Sequence, residues 1–262
     1  MIDSCQHCDA CEHGRKQYCA EGSTYVYNSN DRVDHIPTYG RYSDNIVVSD
    51  KFVMKVPDGL DLAGAAPPLR AGITKYSPLR HWNIGKSSKV AVVGLGRLGH
   101  MRLTLTRAKD AEVTLFTCSL AKQHDARRPE AGKIVLSTNV EKMRAVNGRF
   151  DLTIDTVSCT HYINPYIPTL FLDSTLVLVS YLGPLDPLLN SAPMIMGRKS
   201  AAGLLISGIA ETQEMLDFCS KHGITSDIEV IKIEEVNAVY EHMLKSDVKY
   251  CVVIDMGSLK TA

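Results

Sequence analysis

Four cysteines crowd into one short stretch, SCQHCDACEHGRKQYC, at Cys5, Cys8, Cys11 and Cys19. Their C-x2-C-x2-C-x7-C spacing can close four thiolates into a tetrahedron around zinc. A zinc with four protein ligands keeps no position open for substrate, so the chemistry implied is structural: one metal holding a loop in shape. Further along, VAVVGLGRLGH carries Gly94, Gly96 and Gly99 as G-x-G-x-x-G, with Arg97 and Leu98 inside the loop. The first glycine allows a tight turn, the second lets backbone N–H groups approach a pyrophosphate, and the third lets a helix pack closely on the strand. The N-terminus of that helix would then face the phosphates with partial positive charge.

The glycine pattern is weak alone and informative only at a strand-to-helix junction. The surrounding elements supply that junction. KVAVVG reads as a buried parallel-type strand and GLGRLGHMRLTLTRAKD as the helix after it. EVTLF, KIVL, DLTIDTV and TLVLVS are further short apolar runs with helical segments between them, including AKQHDARR, which stops at Pro129. Strands alternating with helices predict a doubly wound parallel sheet of the Rossmann kind. GLLISG, near Leu204, is expected to be its last strand.

The second strand ends as EVTLFTCSLAK. A site for NAD usually carries an acid there to bind the ribose 2′-hydroxyl. Thr117, Cys118 and Ser119 occupy that place, and Lys122 follows. Hydroxyls and a lysine would hold a 2′-phosphate by charge-assisted hydrogen bonds, so NADP(H) is the expected cofactor.

The chain before about Asp58 is loop-rich: YNSNDRVDH reads as polar turn, NIVVS and Phe52–Val56 as short strands, and VPDG as a turn. LDLAGAAPPLRAGITKYSPLRHW has helical spacing broken near Pro67 and Pro68. After the sheet, ETQEMLDFCSKHG is an amphipathic helix with Met215, Phe218 and Cys219 on one face and Gly223 placed to cap it. EEVNAVYEHMLKSD sets Val236, Val239, Tyr240, Met243 and Leu244 on what should be a buried stripe. YCVVIDM closes the chain as a strand.

The chain has 262 residues, 29 basic and 29 acidic, for a formal net charge of zero. That balance gives no electrostatic reason to expect nucleic acid or an anionic membrane as partner. It argues, with the strand–helix alternation, against a zinc ribbon that binds nucleic acid. No apolar run approaches the roughly 20 residues that span a bilayer, and MIDSCQHCDACEHG has neither the basic flank nor the apolar core of a signal peptide. Eight cysteines in a chain of this length, without an export signal, fit a reducing cytoplasm better than a disulfide scaffold.

These residues together resemble the zinc-dependent alcohol dehydrogenases of the medium-chain dehydrogenase/reductase superfamily, above all the cinnamyl alcohol dehydrogenase branch. DSCQHCDACEHGRKQYC is similar to the family's structural zinc lobe and TYGRYSDNIVV to its YGGYS segment. GLGRLGHM, FTCSLAK, FDLTIDTVS, INPYIPTL, GIAETQEMLDFCSKHGI and YEHMLKSDVKY follow in family order. The resemblance implies an α/β fold with a Rossmann NADP(H)-binding domain at 67–208. Residues 1–66 would be the remnant of a GroES-like β-rich catalytic domain, and 209–262 the return of the chain to it. It implies interconversion of primary alcohols and aldehydes, with Thr74, Thr156, Val157 and Ser207 joining the glycine loop in cofactor binding. It also implies a homodimer through an edge strand at Leu204–Gly208.

The same resemblance exposes departures. The family's catalytic zinc takes a cysteine and a His-Glu pair ahead of the structural lobe, and this sequence begins at Met1 almost on that lobe. Those ligands are expected to be missing and the match to be N-terminally truncated. The remaining zinc cysteine should fall in PPLRAGIT, at Arg70. Arginine stays protonated and offers no lone pair to a metal. No catalytic residue is therefore assigned. Arg41 in YGRYS, Pro68, Asp110, Ser180 and Tyr181 are further departures, and His81 and His100 read as structural. Two readings result: an NADP(H)-dependent alcohol dehydrogenase impaired at its catalytic metal, or a non-catalytic remnant that binds NADP(H) and one zinc.

Overall fold

A computed structural model describes residues 1–40, 42–43, 45–94, 104–118, 132–185, 188–245 and 251–260. Its strands are β1 (Tyr27–Asn30), β2 (Pro37–Tyr39), β3 (Lys89–Val93), β4 (Glu112–Thr117), β5 (Lys133–Leu136), β6 (Phe150–Asp155), β7 (Leu170–Leu178), β8 (Ser200–Gly203), β9 (Ile228–Lys232) and β10 (Cys251–Asp255). The contacts divide the chain into two compact units, Thr74–Leu205 and Met1–Ile73 with Ile206–Ala262.

The first of these units is built on one six-stranded sheet in the order β5-β4-β3-β6-β7-β8, with every neighbouring pair parallel. The chain lays down β3, walks outward to β5, then returns to the other side of β3 for β6. That is the doubly wound order, and its reversal between β3 and β6 opens a crevice beyond the strands' carboxyl ends. Buried strands in such a sheet need apolar residues on both faces. Val90, Ala91, Val92 and Val93 accordingly have at most 2% of their surface exposed. On one face Phe116, Phe150 and Tyr166 form an aromatic knot, the first two edge to face with centroids 5.5 Å apart. Asp110 takes φ of +59°, the left-handed geometry that favours glycine.

The last strand differs from expectation. β8 is Ser200–Gly203, and Leu204–Gly208 is not part of it. Leu204 N–H makes a final bond to Leu178 O, after which Ile206 turns to φ +33° and leaves the sheet. An edge strand at Leu204–Gly208 is therefore corrected to one that ends at Gly203.

In the other unit, β1 and β2 pair antiparallel, and β9 and β10 pair parallel. The hairpin lies in the stretch read as polar turn. NIVVS and Phe52–Val56, read as strands, are not: Val47 is 95% exposed, and Asp50–Phe52 is a turn of 3-10 helix that buries Phe52. Apolar content alone does not make a strand without a neighbouring backbone to bond. The helix Ile209–His222 buries Met215, Leu216 and Cys219 completely. It stops at Gly223, φ +61°, where Ile224 N–H returns to Cys219 O at 2.8 Å.

The stripe on Val236–Leu244 is also corrected. No residue of that helix is buried, and Leu244 is 86% exposed. Periodicity establishes that an apolar face exists, not that another element covers it. Among the described residues, no helix is long and apolar enough to cross a membrane.

Candidate functional site

Two places gather the residues singled out by sequence. The first is the cysteine lobe. The single-turn helix Asp9–Glu12 starts at Cys8 and carries Cys11 one turn later, and a 3-10 turn at Lys16–Tyr18 brings Cys19 back. Gln6 sits at φ +67°, which curls the chain between Cys5 and Cys8. The four sulfurs all lie within 4.8 Å of one another, and Cys5 and Cys11 Sγ are 3.9 Å apart. Sulfurs at the corners of a tetrahedral zinc thiolate are spaced by about 3.8 Å, so the set fits such an ion.

Backbone N–H groups reach three of the four sulfurs. Cys5 N–H donates to Cys19 Sγ, Cys8 N–H to Cys5 Sγ and Ala20 N–H to Cys8 Sγ, each at 3.4 Å. Ser4 and Cys11 are buried beside each other, with Ser4 Oγ 3.3 Å from Cys11 Sγ. Arg32, which no motif pointed to, sets Nη2 4.0 Å from Cys19 Sγ; the same nitrogen donates to Glu21 O and Gly22 O, and Nη1 donates to the Glu21 carboxylate. The backbone bond from Ala20 leads those that draw the Cys8 thiol down to about 6, while burial pushes Cys5 up to about 12. Among the described residues the other metal-capable group, Cys5, His7 and Glu21, shares a ligand with this lobe.

The second place is the turn after β3. Gly94 takes φ of +88°, and its N–H bonds to Phe116 O at 3.0 Å. A side chain there would begin 2.8 Å from Val157 Cγ2 and 3.4 Å from Thr156 Oγ1. Thr156 Oγ1 in turn donates to Val93 O at 2.7 Å. Gly94, Thr156 and Val157 therefore meet at the mouth of the β3–β6 crevice, and Ser180 Oγ closes on Thr156 O at 3.1 Å.

Other expected contacts are more scattered. Thr117 ends β4 with its side chain buried, and Cys118 beyond it is exposed. Thr74 is half-buried on the helix Ile73–His81. Ser207 is buried in the other unit and donates to the Glu211 carboxylate. Arg70 is exposed at the end of the 3-10 turn Pro67–Leu69. Tyr181 is 88% exposed. Gly96, Arg97, Leu98, Gly99, Ser119 and Lys122 lie outside the described residues, as do Arg41, His100 and the expected helix AKQHDARR.

The fold and these two places define a Rossmann-type α/β chain with an added cysteine lobe. The chain is 45% identical to the probable formaldehyde dehydrogenase AdhA of Bacillus subtilis over 99% of its length and 74% of that protein's. It is 44% identical to the NADP-dependent alcohol dehydrogenase C of Mycobacterium tuberculosis, with the same coverage. A cinnamyl alcohol dehydrogenase from Sorghum bicolor superposes with a TM-score of 0.90 at 38% identity, covering 98% of this chain and 73% of that one. No family model matches. The chain belongs to the zinc-dependent alcohol dehydrogenases of the medium-chain dehydrogenase/reductase superfamily, in the cinnamyl alcohol dehydrogenase-like branch. Its fold is the Rossmann-type sheet and GroES-like part of that family.

Proposed function

We propose that this chain binds NADP(H) at the β3–β6 crevice, holds one structural zinc in its cysteine lobe, and is impaired as an alcohol–aldehyde oxidoreductase at the catalytic metal. The observation that carries the reading is the Gly94 turn. Its left-handed φ and its contact with Val157 leave room for backbone but not for a side chain, which is what a pyrophosphate-binding turn requires. The name of the mycobacterial relative supports NADP(H) over NAD. Bound there, the nicotinamide would exchange hydride with the carbon of a primary alcohol or its aldehyde.

The residues divide the work. Gly94, with Gly96, Arg97, Leu98 and Gly99, would cradle the pyrophosphate. Thr117, Ser119 and Lys122 would take the adenosine end, where a lysine can neutralise a 2′-phosphate. Thr156 and Val157 would support the turn from β6, and Thr74 would complete the contacts. Cys5, Cys8, Cys11 and Cys19 would bind zinc as a closed, substrate-free site.

Arg70 carries the impairment. It stands where the resemblance places a zinc-binding cysteine, and a guanidinium both lacks a donor pair and repels a cation. A reading in which the chain binds NADP(H) without turning over shares every feature but the rate. We place the protein in the cytoplasm and expect a homodimer, if one forms, to use the β8 edge. Titration of NADPH fluorescence, followed by an assay of cinnamaldehyde reduction, tests both halves. Binding with little or no turnover is expected. Turnover at the rate of a zinc-loaded relative would refute the impairment, and absence of NADPH binding would refute the cofactor reading.

A further inference from the structure

Asp155 lies within FDLTIDTVS and His161 just beyond it, neither with a role assigned above, and they face each other in the structure. Asp155 ends β6 and is 1% exposed. Its Oδ1 accepts from Val157 N–H at 3.1 Å. Its Oδ2 lies 2.9 Å from Nε2 of His161, a ring that is itself largely covered. On the other side of that ring, Nδ1 lies 2.9 Å from Cys159 O.

The chemistry follows from the partners. A carbonyl oxygen only accepts, so Nδ1 is the donor to Cys159. Nε2 then faces a carboxylate oxygen, and two lone pairs at that distance would repel. A proton on either group relieves that repulsion; the two atoms make a close contact at 2.9 Å and not an aligned hydrogen bond. The Tyr166 ring stands 6.3 Å from that of His161, and burial raises the pKa of its hydroxyl, so it adds no charge here. A buried carboxylate without a partner is costly, and this one would also lie beside a turn shaped for phosphate. The imidazole answers both problems.

We propose that Asp155 and His161 are positioning residues for the dinucleotide: their close contact fixes the loop after β6, and with it Val157, against the Gly94 turn. The loop is fastened at three further points. Thr156 Oγ1 donates to Val93 O, Ser180 Oγ donates to Thr156 O, and Thr160 Oγ1 donates to Leu182 O at 3.1 Å. The Asp155–His161 contact ties the end of β6 to a residue six positions further along the loop. This inference rests on dinucleotide binding at that turn.

The test is NADPH fluorescence titration of the full chain, with thermal melting as the check on folding. His161→Leu removes the imidazole that contacts Asp155 Oδ2 and is expected to weaken NADPH binding about tenfold or more. Asp155→Asn can keep the geometry, because its amide donates to an unprotonated Nε2 while its oxygen still accepts from Val157. It is expected to stay within about threefold of wild type, whereas Asp155→Ala should fall with His161→Leu. Wild type and folded His161→Leu binding NADPH equally would overturn the inference alone. If His161→Leu does not fold, the Asp155 pair decides, and equal affinity of Asp155→Asn and Asp155→Ala overturns it. Failure of wild type to bind NADPH would sink the dinucleotide reading, and this inference with it.

Discussion

Gly94→Ala isolates what the turn after β3 demands. At φ +88° an L residue is strained whatever the space around it, at a cost of about 1–2 kcal/mol. The new methyl would also begin 2.8 Å from Val157 Cγ2, closer than carbon atoms tolerate. Val157 lies two residues beyond β6 and cannot withdraw without moving that loop, so overpacking adds about 1–3 kcal/mol. The sum is about 2–5 kcal/mol. Gly148→Ala supplies the control. Gly148 has φ +63° but nothing within 4 Å of a methyl, so it should cost only the strain of about 1–2 kcal/mol. Urea unfolding followed by far-UV circular dichroism gives both values, and NADPH titration reports the function. Gly94→Ala should be the less stable of the two and alone lose at least about tenfold in NADPH affinity, equivalent to about 1.4 kcal/mol. Equal destabilisation with equal affinity would show that the contact with Val157 does not matter and that the turn is not the phosphate site.

Metal analysis of purified protein should find about one zinc per chain, from one closed four-thiolate site; two per chain would mean that a second site exists. Cys11→Ser should release that zinc and loosen the lobe, read as faster proteolysis within residues 1–40, and proteolysis unchanged from wild type would deny the metal its structural role. NADPH should bind about tenfold or more tightly than NADH, with Lys122→Ala closing the gap, because one charge-assisted contact to a phosphate is worth roughly that factor. Arg70→Cys offers a single thiolate, and among the described residues neither metal-capable group includes a neighbour of position 70. Aldehyde reduction by that variant should therefore stay at the wild-type level, and a rise would show that ligands assemble around it.

The sheet could be read from the sequence because its strands are buried on both faces. KVAVV is apolar almost without interruption, and EVTLFT and FDLTID bury valine, leucine, isoleucine and phenylalanine alongside buried threonines. The cysteine lobe was legible because all four ligands fall within 15 residues, so local spacing carries the geometry. The β1–β2 hairpin was not. YNSN and PTY carry Asn, Ser and Pro, residues common in turns, Asn28 has φ +52°, and the register slips between Tyr27 and Asn30. Its pairing comes from bonds such as Gly40 N–H to Val26 O, which no periodicity encodes. Asp155 and His161 were missed for a related reason. Six residues apart, they meet only because the loop after β6 folds back over the strand end. The available signal was an acid at the end of an otherwise apolar strand, since a buried carboxylate needs a partner.

Gly94 and Arg70 differ in what folding asks of them. Gly94 is held by strain and by contact with the core of the sheet, so a change there costs stability even if no ligand ever binds. Its presence therefore reports a folded Rossmann unit as much as a working one. Arg70 is exposed at the end of a short turn, and its backbone bond to Pro67 O is one that any residue but proline could make. Neither burial nor backbone geometry favours arginine over cysteine at that position. A metal ligand there would have to be maintained by chemistry alone, and once that demand lapses the fold offers no resistance to its loss. Arg70 is for that reason the more informative of the two about catalysis, and the comparison of Arg70→Cys with wild type in cinnamaldehyde reduction measures the point directly.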